Sequence, residues 1–205
     1  MSFPKRNVPL IWLTGIFLLN LLIRFPTAGH FLTWDEAWIV CALKGFFSAK
    51  QPCALQFSKH PPIYLSLGLL LSPTKPGFEF RLQLLSLVLN SGALTLFTIL
   101  FAKLYGRRTA LLASIIYIML PGTMFFDTWI KRDVLVTLFC ALTLLSLLKK
   151  KDILAGVFCG LSFLSKETAV FFVFGYLAFI LINRPASETR RTILLFFGTA
   201  AVISS

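Results

Sequence analysis

Long apolar segments broken by few charges restrict this chain more than any other feature does. Residues 80–102 and 133–148 each carry one charged side chain, at or next to the start of the segment. Hydrophobic residues make up 57% of the 205 residues, which is more than a water-soluble core of this size uses. A helix that crosses about 30 Å of hydrocarbon needs roughly 20 mostly apolar residues. The sequence therefore predicts an all-α, polytopic transmembrane bundle.

We predict about seven membrane spans within a single membrane domain that covers residues 1–205. The predicted spans are 8–26, 80–102, 109–126, 133–148, two short spans within 153–182, and a last span that begins at 192. The stretch 153–182 is divided because one helix of that length would be about 45 Å long and would bury Lys166 and Glu167 in mid-membrane. Two shorter segments, 36–47 and 62–71, are predicted as juxtamembrane helices in the first outer loop.

The distribution of charge predicts the orientation of these spans. More than half of the 20 Lys and Arg residues fall in four short segments at alternate span ends, which are cytoplasmic if the N-terminus is. Most of the eight carboxylates fall on the other side, in the outer loop 27–79 and in the turns at 127–133 and 164–168. The net charge of +12 is then a topology signal rather than a nucleic-acid footprint. The prediction is a multi-pass protein of the inner cell membrane whose acidic face is extracytoplasmic.

Carboxylates and basic side chains gather on that outer face. Residues 33–38 read TWDEAW, so Asp35 and Glu36 come soon after the first span. The other polar motifs are FSKHPPIYL at 57–65, FEFRLQ at 78–83, FDTWIKRD at 126–133 and LSKET at 164–168. Each motif alone has a structural interpretation, since tryptophan, lysine and arginine often lie at membrane interfaces. Together they suit a site in which a carboxylate acts as general base while basic groups stabilise a lipid-linked phosphate.

No cofactor is predicted from the sequence. The four cysteines lack the spacing of a metal site, and no His-rich cluster is present. His30 and His60 could join Asp35 and Glu36 around a divalent ion, although nothing in their spacing requires one. Cys41 and Cys53 share the outer loop and could form a disulfide in an oxidising compartment.

The order of the motifs resembles that of the polytopic glycosyltransferases of the GT-C superfamily. The matching stretches are DEA at 35–37, HPPIY at 60–64, Arg81 at the opening of a span, LPG at 120–122 with RD at 132–133, and GLSFLSKET at 160–168. Within that superfamily the chain looks most like the bacterial relatives of the dolichyl-phosphate-mannose protein mannosyltransferases and of the aminoarabinose transferase of lipid A. The resemblance runs from residue 8 to about 183. It implies a GT-C bundle with two juxtamembrane helices in its first outer loop.

The resemblance also implies an activity and a set of site residues. Such enzymes move a sugar from a polyprenyl-phosphate donor to a protein, lipid or polysaccharide acceptor on the outer face, and they need no nucleotide sugar. Asp35 is the implied general base. The implied substrate-binding residues are Glu36, which would support Asp35, with Lys59, His60, Arg81, Lys131, Arg132, Asp133 and Lys166. Family members usually continue through further spans, so we expect this chain to be an N-terminal module that ends inside its last span.

Two other classes of function stay open. A proton-coupled carrier would use Asp35, Asp133 and the Lys166–Glu167 pair along a pathway, although these groups lie at span ends and no inverted repeat is visible. A non-catalytic membrane subunit would carry the same side chains as solvated loop residues. Asp35→Asn distinguishes the three possibilities, because it should abolish sugar transfer, alter proton-dependent uptake, or change nothing.

Overall fold

Ten α-helices make up nearly all of the computed structural model, which describes residues 8–46 and 62–204; no strand occurs within those ranges. The helices are α1 (Leu10–Arg24), α2 (Trp34–Phe46), α3 (Pro62–Leu69), α4 (Phe78–Tyr105), α5 (Arg107–Met119), α6 (Pro121–Phe126), α7 (Asp133–Leu148), α8 (Asp152–Phe163), α9 (Val170–Asn183) and α10 (Ala186–Ser204). The all-α prediction is confirmed for the described residues. The single-domain prediction for 1–205 stays a prediction.

Helix α4 is the longest element and organises one half of the bundle. Its 28 residues give a length of about 42 Å, and it packs against α1, α5 and α7. Gly77 and Gly106 flank it with φ of 70° and 101°, values that favour glycine because a Cβ would be strained there. The predicted span 80–102 therefore lies within a helix that two glycines delimit.

The predicted third span, 109–126, is wrong as a continuous helix. Helix α5 ends at Met119, and α6 begins at Pro121 after an extended Leu120 with ψ of 121°. A proline disfavours helical geometry in the residue before it and has no N–H to donate to the preceding turn. The apolar run continues past this point, but the helix does not.

The other half of the bundle is built on α8, which packs between α7 and α10. Gly156 and Gly160 lie four residues apart on the face of α8 that contacts α10. A Cβ added at Gly156 would lie 2.5 Å from the carbonyl oxygen of Phe196, and one at Gly160 would lie 2.6 Å from the Cβ of Ile203. This close backbone approach is the usual result of small residues at a spacing of four in membrane helices.

Much of the outer surface of the bundle is apolar. Large exposed hydrophobic side chains cover α1, α5 and α9; they include Ile11, Leu22, Leu112, Ile116, Phe171 and Ile182. In the described part of the chain, two helices are long and apolar enough to cross a membrane, at 10–27 and 78–105. Three further apolar helices, at 133–148, 152–163 and 167–183, are shorter. The structure supports a membrane bundle, and the count of seven spans stays a prediction.

The two short helices predicted for the first outer loop are present as α2 and α3. Together with the starts of α4 and α7 they form an apolar cluster, hereafter the outer cluster: Val40, Leu43, Tyr64, Leu65, Phe78, Leu82, Ile130, Val134 and Leu135. The backbone N–H of Ile63 also donates to the Leu164 carbonyl, 3.3 Å away. Helix α3 is thereby joined to the end of α8, and the ends of four helices meet at one pole of the bundle.

Candidate functional site

A cavity of about 440 Å³ opens at this pole, and it brings together residues from four separate segments. Its lining consists of Asp35, Trp38, Ile39 and Ala42 from α2, Leu65 from α3, Lys131, Arg132 and Asp133 from the start of α7, and Lys166 from the turn after α8. Five of the nine predicted site residues are in this set. We call this cavity the Asp35 cavity.

The Asp35 carboxylate is exposed, and within residues 8–46 and 62–204 it has no partner. Asp35 lies in the first turn of α2, where the helix dipole stabilises a negative charge. Among the residues that the structure describes, no hydrogen bond or ion pair engages its side chain. The neighbouring tryptophans, Trp34 and Trp38, form an edge-to-face pair with ring centroids 5.8 Å apart. The exposed Asp35 carboxylate therefore lies beside two packed tryptophan rings.

Lys166 and Asp133 form an ion pair on another side of the cavity. The Lys166 Nζ lies 2.7 Å from Oδ1 and 2.9 Å from Oδ2 of Asp133. Asp133 is the first residue of α7, and Lys166 precedes the short 3₁₀ turn Glu167–Ala169. The pair fixes where the lysine ammonium sits relative to the cavity. Lys166 pairs with Asp133 rather than with its neighbour Glu167, whose side chain is exposed.

Two more cations come from the loop before α7. The Lys131 Nζ lies 4.0 Å from the centre of the Trp129 ring and 5.5 Å from that of Phe126, so cation–π attraction holds it in place. Arg132 has a buried Nη1 without a hydrogen-bond partner among the described residues. A buried guanidinium donor without a partner is unusual in native proteins. Because Arg132 also lines the cavity, its guanidinium places a third cation at the wall.

Glu36 does not line the cavity; it is fully buried beneath it. The Glu36 carboxylate accepts hydrogen bonds from the backbone N–H groups of Thr33, at 2.7 Å, and Ile130, at 2.9 Å. His30 Nε2 lies 3.3 Å from Oε2 of the same carboxylate. Burial raises the pKa of the Glu36 carboxyl, but the hydrogen bonds from Thr33 and Ile130, together with the nearby His30, outweigh it and the net pKa is lowered. Glu36 therefore ties α2 to the loop that carries Lys131, Arg132 and Asp133.

Arg81 also lies away from the cavity. Its guanidinium donates to four backbone carbonyls of the preceding loop: Leu71 at 3.1 Å, Pro76 at 2.7 Å, Ser72 at 3.2 Å and Lys75 at 3.3 Å. These contacts satisfy most of its donors and close the turn between α3 and α4. Lys59, His60 and Cys53 lie outside the described residues, so their predicted roles, and the pairing of Cys53 with Cys41, stay predictions.

A buried polar cluster next to the cavity was missed by the sequence reasoning. Arg24 is fully buried, and its Nε lies 2.5 Å from Oδ2 of Asp127, which is also buried. Tyr117 donates to the other Asp127 oxygen at 2.8 Å, and Asn20 accepts from Arg24 at 2.8 Å. The one available signal was the spacing of four between Asn20 and Arg24 in an otherwise apolar helix.

The cluster has a consequence for the cavity because Asp127 begins the loop that ends at Asp133. Arg24 of α1 holds the start of this loop, and Glu36 of α2 holds its middle through Ile130. Both anchors are buried charges whose partners come from distant parts of the chain. The loop is therefore fixed at two points before it presents Lys131 and Arg132 to the cavity.

Within the described ranges, no group of three or more His, Cys, Asp or Glu side chains is placed to hold a metal ion. The predicted alternative of a divalent ion also involved His60, which those ranges do not include. Asp35 and Asp133 line the same cavity, but three cations line it with them. Among the described residues the cavity therefore combines the exposed Asp35 carboxylate with three cations, one of which Asp133 pairs.

A family model described as dolichyl-phosphate-mannose-protein mannosyltransferase matches residues 60–205 of the chain. The match includes Lys131, Arg132, Asp133 and Lys166, and it begins after Asp35. No curated protein and no solved structure gives a significant match. The matched stretch covers most of the chain, and it confirms the resemblance inferred from the order of the motifs.

Proposed function

The chain belongs to the dolichyl-phosphate-mannose-protein mannosyltransferase family, and we propose that its Asp35 cavity transfers a sugar from a polyprenyl-phosphate donor to an acceptor at the extracytoplasmic membrane surface. Family membership makes the protein a membrane glycosyltransferase of the GT-C type. The observation that carries the proposal is the single cavity in which an unpaired carboxylate, Asp35, stands with Lys131, Arg132 and Lys166.

In the proposed reaction Asp35 is the general base. Its carboxylate accepts the proton of an acceptor hydroxyl or amine while the acceptor atom bonds to the anomeric carbon of the sugar. The bond between that carbon and the phosphate oxygen breaks, and its electron pair stays on the phosphate. One face of the sugar is attacked as the other loses its leaving group, so the configuration inverts. An exposed carboxylate without an ion-pair partner is available to take up the proton.

The three cations stabilise the phosphate as it leaves. Negative charge grows on the phosphate oxygen in the transition state, and positioned donors at that point lower the barrier. Lys166 and Lys131 are held in advance, by Asp133 and by the Trp129 ring respectively. Arg132 lines the same cavity and adds a third positive charge beside the leaving phosphate. Donors fixed beforehand need little reorganisation during the reaction.

The polyprenyl chain would remain in the bilayer, which the apolar surface of the bundle contacts. The donor phosphate would then approach from the membrane side and the acceptor from the aqueous side. Leu65 belongs to both the outer cluster and the lining, so this part of the cavity rests on packed apolar side chains. A floor of low polarity would strengthen the electrostatic interactions on which the leaving phosphate depends.

The test is sugar transfer from a radiolabelled polyprenyl-phosphate sugar in membranes that contain the chain. Asp35→Asn keeps the shape of the side chain and removes the base, so the rate should fall by about 10²-fold or more. The matched control is Glu167→Gln, an exposed carboxylate that does not line the cavity, and it should transfer at the wild-type rate.

Equal transfer by the wild type and Asp35→Asn would refute Asp35 as the base. The proton-coupled carrier would be favoured instead if no sugar transfer occurs and Asp35→Asn alters a proton-dependent uptake of solute. Insertion and abundance of each variant are measured in the same membranes, so that loss of protein is not taken for loss of chemistry.

A further inference from the structure

A second polar cavity, of about 630 Å³, lies at the opposite pole of the bundle from Asp35. Helix α7 begins at the Asp35 cavity with Asp133 and ends at Leu148, and α8 runs back from Asp152. The second cavity is enclosed by the turn between α7 and α8, the first turns of α8, and the start of α10. We call it the basic cavity.

Four cations and two carboxylates line the basic cavity: Lys150, Lys151, Arg184 and Arg191, with Asp152 and Glu188. Both carboxylates are already paired. Arg184 donates to Asp152 at 2.7 Å, and Lys150 lies 3.7 Å from Glu188. Lys151 and Arg191 have no ion-pair partner in the described part of the chain. The cavity therefore keeps two uncompensated positive charges and no free acid.

The rest of the lining consists of Thr192, whose hydroxyl donates to Asp152, and an apolar wall. Ile153, Leu154, Val157 and Leu195 line it, and Ile153 is 58% exposed. The first turn of α8, with its free backbone N–H groups, borders the same space and adds a positive partial charge. A ligand that fills this cavity has an anionic group for the cations and an apolar part for the wall.

Lys150, which lines the basic cavity, has a strained backbone conformation. Lys150 has a φ of 57°. It follows the end of α7, where Lys151 N–H donates to Ser146 and Lys150 N–H donates to Leu147. Glycine is the usual residue at this position of a helix end because it adopts a positive φ without strain. The chain has a lysine there instead.

We infer that the basic cavity binds the phosphate headgroup of an anionic phospholipid from the leaflet opposite the Asp35 cavity. The excess of cations supplies the attraction to the phosphate, and basic pockets between membrane helices are known to take such headgroups. The apolar wall favours a lipid over a soluble phosphate, because an acyl chain covers Ile153 and Leu154 while the headgroup contacts Lys151 and Arg191.

The test is native mass spectrometry of the purified full chain in detergent, titrated with phosphatidylglycerol and, separately, with phosphatidylcholine. The wild type should bind phosphatidylglycerol more tightly. The double variant Lys151→Gln/Arg191→Gln should weaken this binding by about fivefold per cation removed, the effect of one basic residue near an anionic lipid surface. The matched control is Lys103→Gln/Arg108→Gln, which removes two charges from the neighbouring turn at the same pole, and it should change binding by less than about twofold.

A third variant, Lys150→Gly, separates binding from folding. It removes a charge from the cavity and relieves the positive φ, so it should fold at least as well as the wild type while binding phosphatidylglycerol less tightly. The proposal is overturned if the two double variants lose the same affinity, or if phosphatidylcholine binds equally well. Displacement of phosphatidylglycerol by millimolar inorganic phosphate would also overturn it, in favour of a soluble anion.

Discussion

The two poles of the α7–α8 pair each carry an ion pair between a basic residue and an aspartate, and the two pairs differ in how exposed they are. At the Asp35 pole the ion pair is Lys166–Asp133, with 26% and 55% of the two side chains exposed; at the opposite pole it is Arg184–Asp152, with 4% and 18% exposed. Arg184 also donates to the Leu147 carbonyl, and Thr192 donates to Asp152. Both pairs border a cavity, but the second is more buried and has extra hydrogen bonds that join α7, α8 and α10.

Under the two proposals, pairing rather than charge alone separates the cavity that would do chemistry from the cavity that would only bind. Each cavity has an excess of cations and two carboxylates in its lining. Only the Asp35 cavity has a carboxylate, Asp35 itself, without a partner among the described residues. A base must be free to accept a proton, so the basic cavity is limited to holding an anion.

The largest effect on stability is expected at the buried pair. Arg184→Met leaves Asp152 without its cation and breaks the bond to the Leu147 carbonyl. Removing one partner of a buried pair typically costs about 3–5 kcal/mol, and the lower end applies here because Asp152 is partly exposed. Unfolding in mixed micelles with rising dodecyl sulfate measures this loss. Sugar transfer per folded molecule should stay at the wild-type level. A loss of transfer without a matching loss of folded protein would contradict the proposal that only the Asp35 pole takes part in transfer.

The exposed pair should show the reverse behaviour. Lys166→Met should reduce stability by less than about 1 kcal/mol, because exposed ion pairs contribute little. Transfer should fall by about 10²-fold, the typical loss when one positioned donor is removed from a developing negative charge. Lys166→Arg, which keeps the charge, should recover part of the rate. A drop in stability as large as that of Arg184→Met would assign Lys166 a structural role instead.

The smallest effect is a pH dependence that arises from Glu36. The pKa of the Glu36 carboxyl is lower in the folded state than its ordinary value of 4.5. Glu36 therefore contributes stability that is fully present above that ordinary value and is lost as the pH falls through the lowered pKa. Glu36→Gln should flatten the fall in stability below about pH 4.5. The control Glu167→Gln should leave the acid-induced fall unchanged, and equal curves for wild type and Glu36→Gln would contradict the assignment.

Helix positions were predictable wherever a charge or a turn residue interrupts an apolar run. The predicted span 133–148 coincides with α7, because Asp133 opens the run and Lys149 closes it. The break at Lys166 and Glu167 separates α8 from α9 as expected. The prediction of 109–126 as one helix failed at Pro121 for a local reason. The sequence is apolar on both sides of the proline, so hydropathy does not detect the break that the backbone geometry imposes.

The grouping of five predicted residues in one cavity could be anticipated from the sequence, whereas the residues that support the cavity could not; the roles of the five stay predictions. The order of the motifs led to Asp35, Lys131, Arg132, Asp133 and Lys166, which do share a cavity. The burial of Glu36 and of the Arg24–Asp127 pair was not predictable, because it depends on helices that meet from distant parts of the sequence. The sequence identifies a charged residue but does not determine whether its side chain lines a cavity or is buried beneath it.

The short length of α8 has a consequence for the surrounding lipid. Its 12 residues extend about 18 Å, and the 16 residues of α7 extend about 24 Å, whereas the hydrocarbon layer is about 30 Å thick. A helix shorter than the hydrocarbon layer is accommodated by local thinning of the bilayer, by snorkelling of flanking residues or by oligomerisation. If the bilayer thins where this helix pair crosses it, phosphate groups of both leaflets would come closer to Lys166 and Lys151. A donor phosphate would then not need to leave the membrane surface to be reached.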